Sequence, residues 1–166
     1  MKDGVSIRLS DIQKDQAYLV KFLMEPGVLN YFPMSNEKEA QESARMWISY
    51  AQLHSCFTLI KHEEPIGICT IYPHYAKKLA HQSLVSIIIT EKERSKGYGT
   101  MLLQYIEKVA KEEFGISLLH LEVYETNPAR RLYERMKYEK SGEHKKFLKE
   151  GPSKYSSKIL MQKWLD

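Results

Sequence analysis

The sequence predicts a single α/β domain: a mixed central sheet of about seven strands flanked by about four helices, in the order β-α-α-β-β-β-α-β-α-β-β. Three observations carry this. Strand-like alternation and helix-like three-to-four spacing interleave along the whole chain. Val85-Ser86-Ile87-Ile88-Ile89 is almost continuously apolar, as in a central strand covered on both faces. The 166 residues suffice for one hydrophobic core and for one domain, placed at residues 5–165. At 43% hydrophobic and 28% charged, with 8 Gly and 6 Pro, the composition excludes collagen-like, low-complexity and disordered chains.

Val5 to Leu9 alternates and reads as the first strand. Ser10 and Gln13 have capping-box spacing, so a helix is predicted to start at Ser10 and to bury Leu19, Val20, Phe22 and Leu23. Pro26-Gly27 stops it. A second helix starts near Ser35-Asn36, with Ala40, Ala44, Trp47, Ile48 and Ala51 as its apolar stripe. Cys56–Lys61 and Ile66–Tyr72 form a hairpin around His62-Glu63-Glu64-Pro65. Ser83–Thr90 is the β-branched central strand. Gly97–Phe114 carries the clearest helical pattern, and Gly115 ends it. Leu118–Tyr124 is a strand. Asn127-Pro128 is a cap followed by a first-turn proline and opens a short helix to about Met136. Tyr138–Phe147 and Tyr155–Trp164 close the chain as a hairpin around Gly151-Pro152.

The net charge of +4 is too small to predict nucleic-acid binding by itself. It sits in residues 137–166, where 8 Lys face 4 carboxylates; no Arg occurs there, so bidentate recognition of phosphate or bases is poorly served and nucleic acid is disfavoured as a partner. Cys56 and Cys69 make neither a disulfide framework nor a CxxC motif and read as buried, reduced thiols. No apolar run has the roughly 18–20 residues that span a bilayer, and Met1-Lys2-Asp3-Gly4 opens no signal-like apolar stretch. The expectation is a cytoplasmic protein without membrane contact.

Chemistry concentrates at Arg94-Ser95-Lys96-Gly97-Tyr98-Gly99-Thr100, between the apolar strand and the strong helix. Two glycines two apart permit a sharp turn and close backbone approach. The helix N-terminus behind them offers free N–H donors and positive potential, and Arg94 and Lys96 add full charges. These parts suit a pyrophosphate, and equally a plain strand-to-helix turn. A nucleotide P-loop is absent, and so is the third glycine of GxGxxG.

Arg94-x-x-Gly97-x-Gly99 resembles the [RQ]xxGx[GA] acetyl-CoA motif of the GNAT (Gcn5-related) N-acetyltransferases. Ala129-Arg130-Arg131-Leu132-Tyr133-Glu134-Arg135-Met136-Lys137-Tyr138 is similar to that family's A-x-x-LYE-x-x-GF segment. The element order matches over residues 5–165. Two departures stand out: Thr126 occupies the family's usual Asn position, with Asn127 after it, and Lys137-Tyr138 replaces Gly-Phe. Glu25 to Pro33 resembles the acceptor-side entry segment of the RimJ/RimL-like branch, which points to Tyr31 and Phe32 as acceptor contacts.

The resemblance implies transfer of an acetyl group from acetyl-CoA, as co-substrate and without a metal, directly to a primary amine. The amine would belong to a protein N-terminus, a lysine or a small molecule. It implies backbone contacts from Ile87, Ile88 and Ile89 to the acyl-pantetheine arm, one N–H polarising the thioester carbonyl. It places the pyrophosphate on the N–H groups of Ser95 to Thr100, with Arg94, Asn127 and Arg130 as further cofactor contacts. Tyr133 matches the family's general acid, and a phenol of pKa near 10 suits protonation of a thiolate. For the base, alternation puts Glu122 on one face with His120 and Tyr124. Glu91, His74, His81, a water chain, or an amine that deprotonates unaided are the alternatives. Asn127 could instead cap its helix. A displaced Asn127 and an unassigned base also fit an acyl-CoA-binding module with weak catalysis. Closing hairpins of this family contribute to dimers, which makes a homodimer the expected assembly.

Overall fold

A computed structural model describes residues 4–166; Met1 to Asp3, which carry most of the expectation that no signal segment is present, lie outside the described residues. Strand β1 spans Val5–Leu9 as the alternation requires, and helix α1 spans Ile12–Leu23. The cap is Asp11, not Ser10: Asp11 Oδ1 accepts from the Gln13 and Lys14 N–H groups at 3.0 Å. Ser10 is withheld from capping because it is buried. Its N–H continues β1 by donating to the Cys56 carbonyl, and its hydroxyl shares a 2.8 Å hydrogen bond with Thr58. Helix α2 spans Glu37–Ser49 with Asn36 as its cap, and Glu39 reaches back to the Ser35 N–H at 2.6 Å.

Strands β2 (Cys56–Lys61) and β3 (Glu64–Ile71) are joined by a two-residue turn, tighter than predicted, with His62 and Glu63 both at positive φ. Pro65 is tolerated inside β3 because a bulge at Leu59/Ile60 lies opposite it. β4 (Gln82–Ile89), α3 (Tyr98–Phe114), β5 (Leu118–Tyr124) and α4 (Arg130–Arg135) follow in the expected order. The last hairpin is longer than its apolar pattern suggested: β6 runs Glu139–Gly151 and β7 Lys154–Trp164. It is exposed and rich in Lys and Glu, so hydrophobic alternation does not mark its far end.

Among the described residues seven strands form one sheet in the order β1-β2-β3-β4-β5-β7-β6, in which β4 and β5 pair parallel and the other neighbours antiparallel. α1 and α2 cover one face around Leu19, Ile48 and Ile68; α3 and α4 cover the other around Leu102, Ile106 and Leu119. Cys56 belongs to the first core and Cys69 to the second, so the thiols face opposite sides of the sheet and stay unpaired. Among the described residues no helix is long and apolar enough to cross a membrane.

The α1 face holds a buried polar chain. Asp15 is fully buried, and its carboxylate accepts from Arg8 at 2.6 and 2.9 Å, from the Asp11 N–H at 2.8 Å and from the Thr58 hydroxyl at 2.8 Å. Burial pushes the Asp15 carboxyl up, but these hydrogen bonds outweigh it and hold it below the usual aspartate range. Asp15→Ala is expected to cost about 2–3 kcal/mol at pH 7, because Arg8 and Thr58 lose their acceptor. A depressed carboxyl contributes stability that is present above the unfolded value of about 3.9 and lost as pH falls through the lower folded value. Denaturant titrations of both proteins should therefore differ most at pH 7 and converge as pH drops below about 4. A constant gap across that window would show that the carboxylate charge is not responsible.

Candidate active site

β4 and β5 pair only over Gln82–Leu84 and Leu118–His120. Past that point β5 keeps pairing with β7, and β4 keeps pairing with β3 through Ile89. The β5-facing backbone groups of Val85–Ile89 are thus left without a strand partner. A cavity of about 820 Å³ opens along this divergence. The half-buried state of Ser86, Ile87 and Ile89, unexpected for a strand covered on both faces, reflects the gap beside them. Tertiary splaying overrides the local pattern.

The β4–α3 connection forms one wall. Ser95 and Gly97 both have positive φ, 58° and 86°. The first intrahelical bond of α3 runs from the Met101 N–H to the Gly97 carbonyl, so the N–H groups of Tyr98, Gly99 and Thr100 have no acceptor within the helix. Gly97 needs glycine for its backbone angle: a Cβ there would meet nothing within 4 Å. Gly99 needs it for close packing, since a Cβ would lie 3.0 Å from Leu132. The loop is braced from outside. Glu25, on the α1–α2 connection, accepts from the Thr90 hydroxyl and from the Glu91 N–H (2.8 Å). Arg94 lines the cavity, yet its Nε donates to the Ile89 carbonyl at 2.9 Å and its guanidinium lies 3.6 Å from Glu25. It therefore shapes the cradle as well as charging it.

Tyr133 of α4 lines the cavity at 8% exposure, and among the described residues its hydroxyl has no hydrogen-bond partner. Burial, with Cys69 nearby, pushes its phenol well above the usual range, so it stays protonated at neutral pH. Glu122 and Tyr124 of β5 also line the cavity. Glu122 Oε1 lies 3.1 Å from Lys158 Nζ. Burial, followed by the Glu122 and Glu150 charges, brings the Tyr124 phenol to about 12. His120, on the same strand face, sits below the divergence and is hydrogen-bonded to Gln82 at 2.5 Å. Of the other base candidates, His81 stacks on Trp164, and neither it, His74 nor Glu91 lines the cavity. Cys56 is buried and hydrogen-bonded to Ser10 and Thr70, which leaves no exposed nucleophilic thiol there.

The third wall is the α1–α2 connection, where Tyr31 and Phe32 line the cavity and Phe32 packs on Trp47 at 5.9 Å. Three residues singled out in the sequence turn their side chains elsewhere. Lys96 Nζ donates to the Lys92 carbonyl and Glu93, Tyr98 is buried in the core, and Arg130 pairs with Glu134 at 2.9 Å. Asn127 lines the cavity and its Oδ1 accepts from the Ala129 N–H at 2.9 Å, closing a turn ahead of α4; the helix starts at Arg130 with Ala129 at the cap position, so Asn127 is not its cap and Pro128 is not in its first turn. Sequence reasoning missed Arg131, Arg135, Phe147 and Lys158. The arginines had a signal, a three-to-four spacing with Pro128 and Leu132 on one helix face. Phe147 and Lys158 had none. An irregularity between His144 and Leu148, with Lys146 at φ 53°, aims Phe147 over the Lys158 ammonium 3.7 Å away. Lys137, where the resemblance has glycine, adopts φ 69°, and the Tyr138 hydroxyl lacks a partner among the described residues.

The donor set fits acetyl-CoA: a strand edge without a strand partner for the amide-bearing arm, and helix-start N–H groups with the Arg131 and Arg135 guanidinium groups lining the same cavity for its phosphates. The fold agrees with solved structures of low sequence identity. A Salmonella typhimurium protein solved with its cofactor acetyl-CoA is 16% identical with a TM-score of 0.80, covering 99% of this chain and 95% of that one. A ribosomal-protein-alanine N-acetyltransferase from Brucella melitensis is 19% identical, TM-score 0.78, over 96% and 99%. An acetyl transferase from Salmonella typhimurium that modifies the N-terminal serine of 50S ribosomal subunit protein L7/L12 is 13% identical, TM-score 0.76, over 99% and 97%. No curated protein sequence matches. The sequence model of the acetyltransferase (GNAT) family matches residues 22–138, which reach from α1 past the cradle to the Tyr133 segment. With that match over most of its length, this chain belongs to the acetyltransferase (GNAT) family, whose members transfer an acetyl group from acetyl-CoA.

Proposed function

We propose that residues 5–165 form one catalytic unit that acetylates a primary amine by direct transfer, with no acyl-enzyme intermediate. The observation that carries this is the loss of β4–β5 pairing after Leu84, which opens a strand edge into the same cavity that holds Tyr133 and Glu122. Acetyl-CoA supplies the acyl group activated as a thioester. The N–H groups of the Ser95–Thr100 cradle, with Arg131 and Arg135, hold its phosphates, and the free edge of Ile87–Ile89 aligns its arm. A backbone N–H on that edge stabilises the developing oxyanion, typically a large electrostatic contribution. Glu122 takes the proton from the attacking amine. As the C–N bond forms and the C–S bond breaks, Tyr133 donates its proton to the departing sulfur. Tyr31 and Phe32 flank the acceptor. The buried Cys56 and Cys69 leave no thiol for a covalent route.

Thiol release from acetyl-CoA, measured against amino-acid amides, peptides, lysine derivatives and polyamines, tests the reading. Turnover with at least one amine is expected, and acetyl-CoA binding with none turned over would leave only a binding module. Glu122→Gln is expected to lower kcat/KM about 100-fold at pH 7. That deficit should shrink as pH rises toward the pKa of the acceptor amine, which then deprotonates without help. A deficit independent of pH would remove Glu122 as the base.

A further inference from the structure

The cavity has a neighbour. Past Met34 an open groove of about 320 Å³ runs along α2, lined by Pro33, Met34, Glu39, Glu42, Ser43 and Met46. Pro33, Met34 and Ser43 line both spaces, so the groove adjoins the cavity. Met46 presents its thioether to water at 63% exposure. The two spaces carry opposite charge. The cavity lining holds Arg94, Arg131, Arg135 and Lys158 against the single carboxylate of Glu122. The groove lining holds two carboxylates and no cation. Glu39 is fixed by the Ser35 N–H and hydroxyl, and among the described residues Glu42 has no partner.

We propose, resting on the amine-transfer reading above, that the groove receives the second to fourth residues of a polypeptide acceptor whose free α-amine enters the cavity at Glu122. Lys158, only 7% exposed and 3.1 Å from Glu122, places a resident cation beside the reacting amine. A polyamine would bring further like charge against it. An α-amine, with an ordinary pKa of about 8 against about 10.4 for lysine, arrives neutral far more often. One ion-paired carboxylate then suffices as its base. Outside the cavity the signs reverse, and a cationic side chain at the third position of the acceptor meets Glu42. Methionine surfaces adapt to varied side chains, so Met34 and Met46 give contact without demanding one sequence.

The test compares alaninamide, tetrapeptide amides with a free N-terminus and Lys or Glu at position three, the Lys peptide with its N-terminus blocked, and spermidine. The expected result is a kcat/KM about tenfold higher for the Lys tetrapeptide than for alaninamide, about 1.4 kcal/mol of groove contact. The Glu peptide should trail it, and the blocked peptide and spermidine should be poor. The double variant Glu42→Arg, Met46→Arg changes two exposed positions of α2. It should remove the length and charge preference and leave the alaninamide rate within about twofold, with helicity and acetyl-CoA binding as folding controls. Equal rates for amide and tetrapeptide, a preference that survives the double variant, or spermidine or the blocked peptide as best acceptor would each overturn the groove while leaving amine transfer intact. Acetyl-CoA binding without turnover of any amine overturns the underlying reading, and the groove with it.

Discussion

Gly97→Trp is expected to abolish acetyl-CoA binding while the protein stays folded. Gly97 sits at φ 86° at the start of α3, where a Cβ would meet nothing within 4 Å. The indole therefore projects into open cavity beside the N–H groups of Gly99 and Thr100 at the start of α3. The fold bears only the strain of a side chain in the left-handed region, about 1–2 kcal/mol. The ligand loses access to the N–H groups at the start of α3, where a helix N-terminus favours anions. Calorimetric titration should show no binding at high micromolar acetyl-CoA. Gly97→Ala separates strain from blockage, since it carries the same backbone penalty without bulk and should still bind. Affinity of Gly97→Trp within about tenfold of wild type would mean that the phosphates lie elsewhere.

Tyr133→Phe is expected to lower kcat by about 100-fold or more, within the usual range for loss of a general acid. Acetyl-CoA affinity should stay within a few-fold. Phenylalanine keeps the edge contact with Tyr138, whose ring centroid lies 6.1 Å away, so packing is preserved. The deleted hydroxyl has no hydrogen-bond partner among the described residues, so thermal stability should hold or rise slightly. Because burial pushes the Tyr133 phenol up, the acid form persists through the accessible alkaline range, and an activity limb below pH 10 belongs to the amine side. Tyr124→Phe is the control, as that phenol also faces the cavity. An unchanged kcat in Tyr133→Phe, or a larger loss in Tyr124→Phe, would move the acid role off Tyr133.

Local chemistry made much of the cavity legible. The glycine pair, the apolar strand before it and the Leu132-Tyr133-Glu134 segment are each short-range patterns, and the structure brings all three to one cavity. Errors arose where one residue had two competing uses. Ser10 looked like a cap, but its hydroxyl is consumed by Thr58 and Asp11 takes the role. Lys96 and Arg130, expected as cofactor contacts, turn their side chains to Glu93 and Glu134. Arg131, one residue on, faces the cavity because α4 turns about 100° per residue.

The amino-acid sequence alone determined the order of eleven elements, because hydrophobic period and capping are properties of neighbouring residues. It also determined the strand-to-helix turn at Gly97 and Gly99, because two glycines and a helix start are contiguous. The family resemblance implied that the sheet splays beside the central strand; only the tertiary structure decided that β4 and β5 part after Leu84, since the point of divergence depends on β5 following β7. Only it joined Phe147, Lys158 and Glu122 into one wall, from three strands and an irregular stretch of β6. Those contacts arise between residues remote along the chain, and their energies come from packing and charge pairing that no local pattern records.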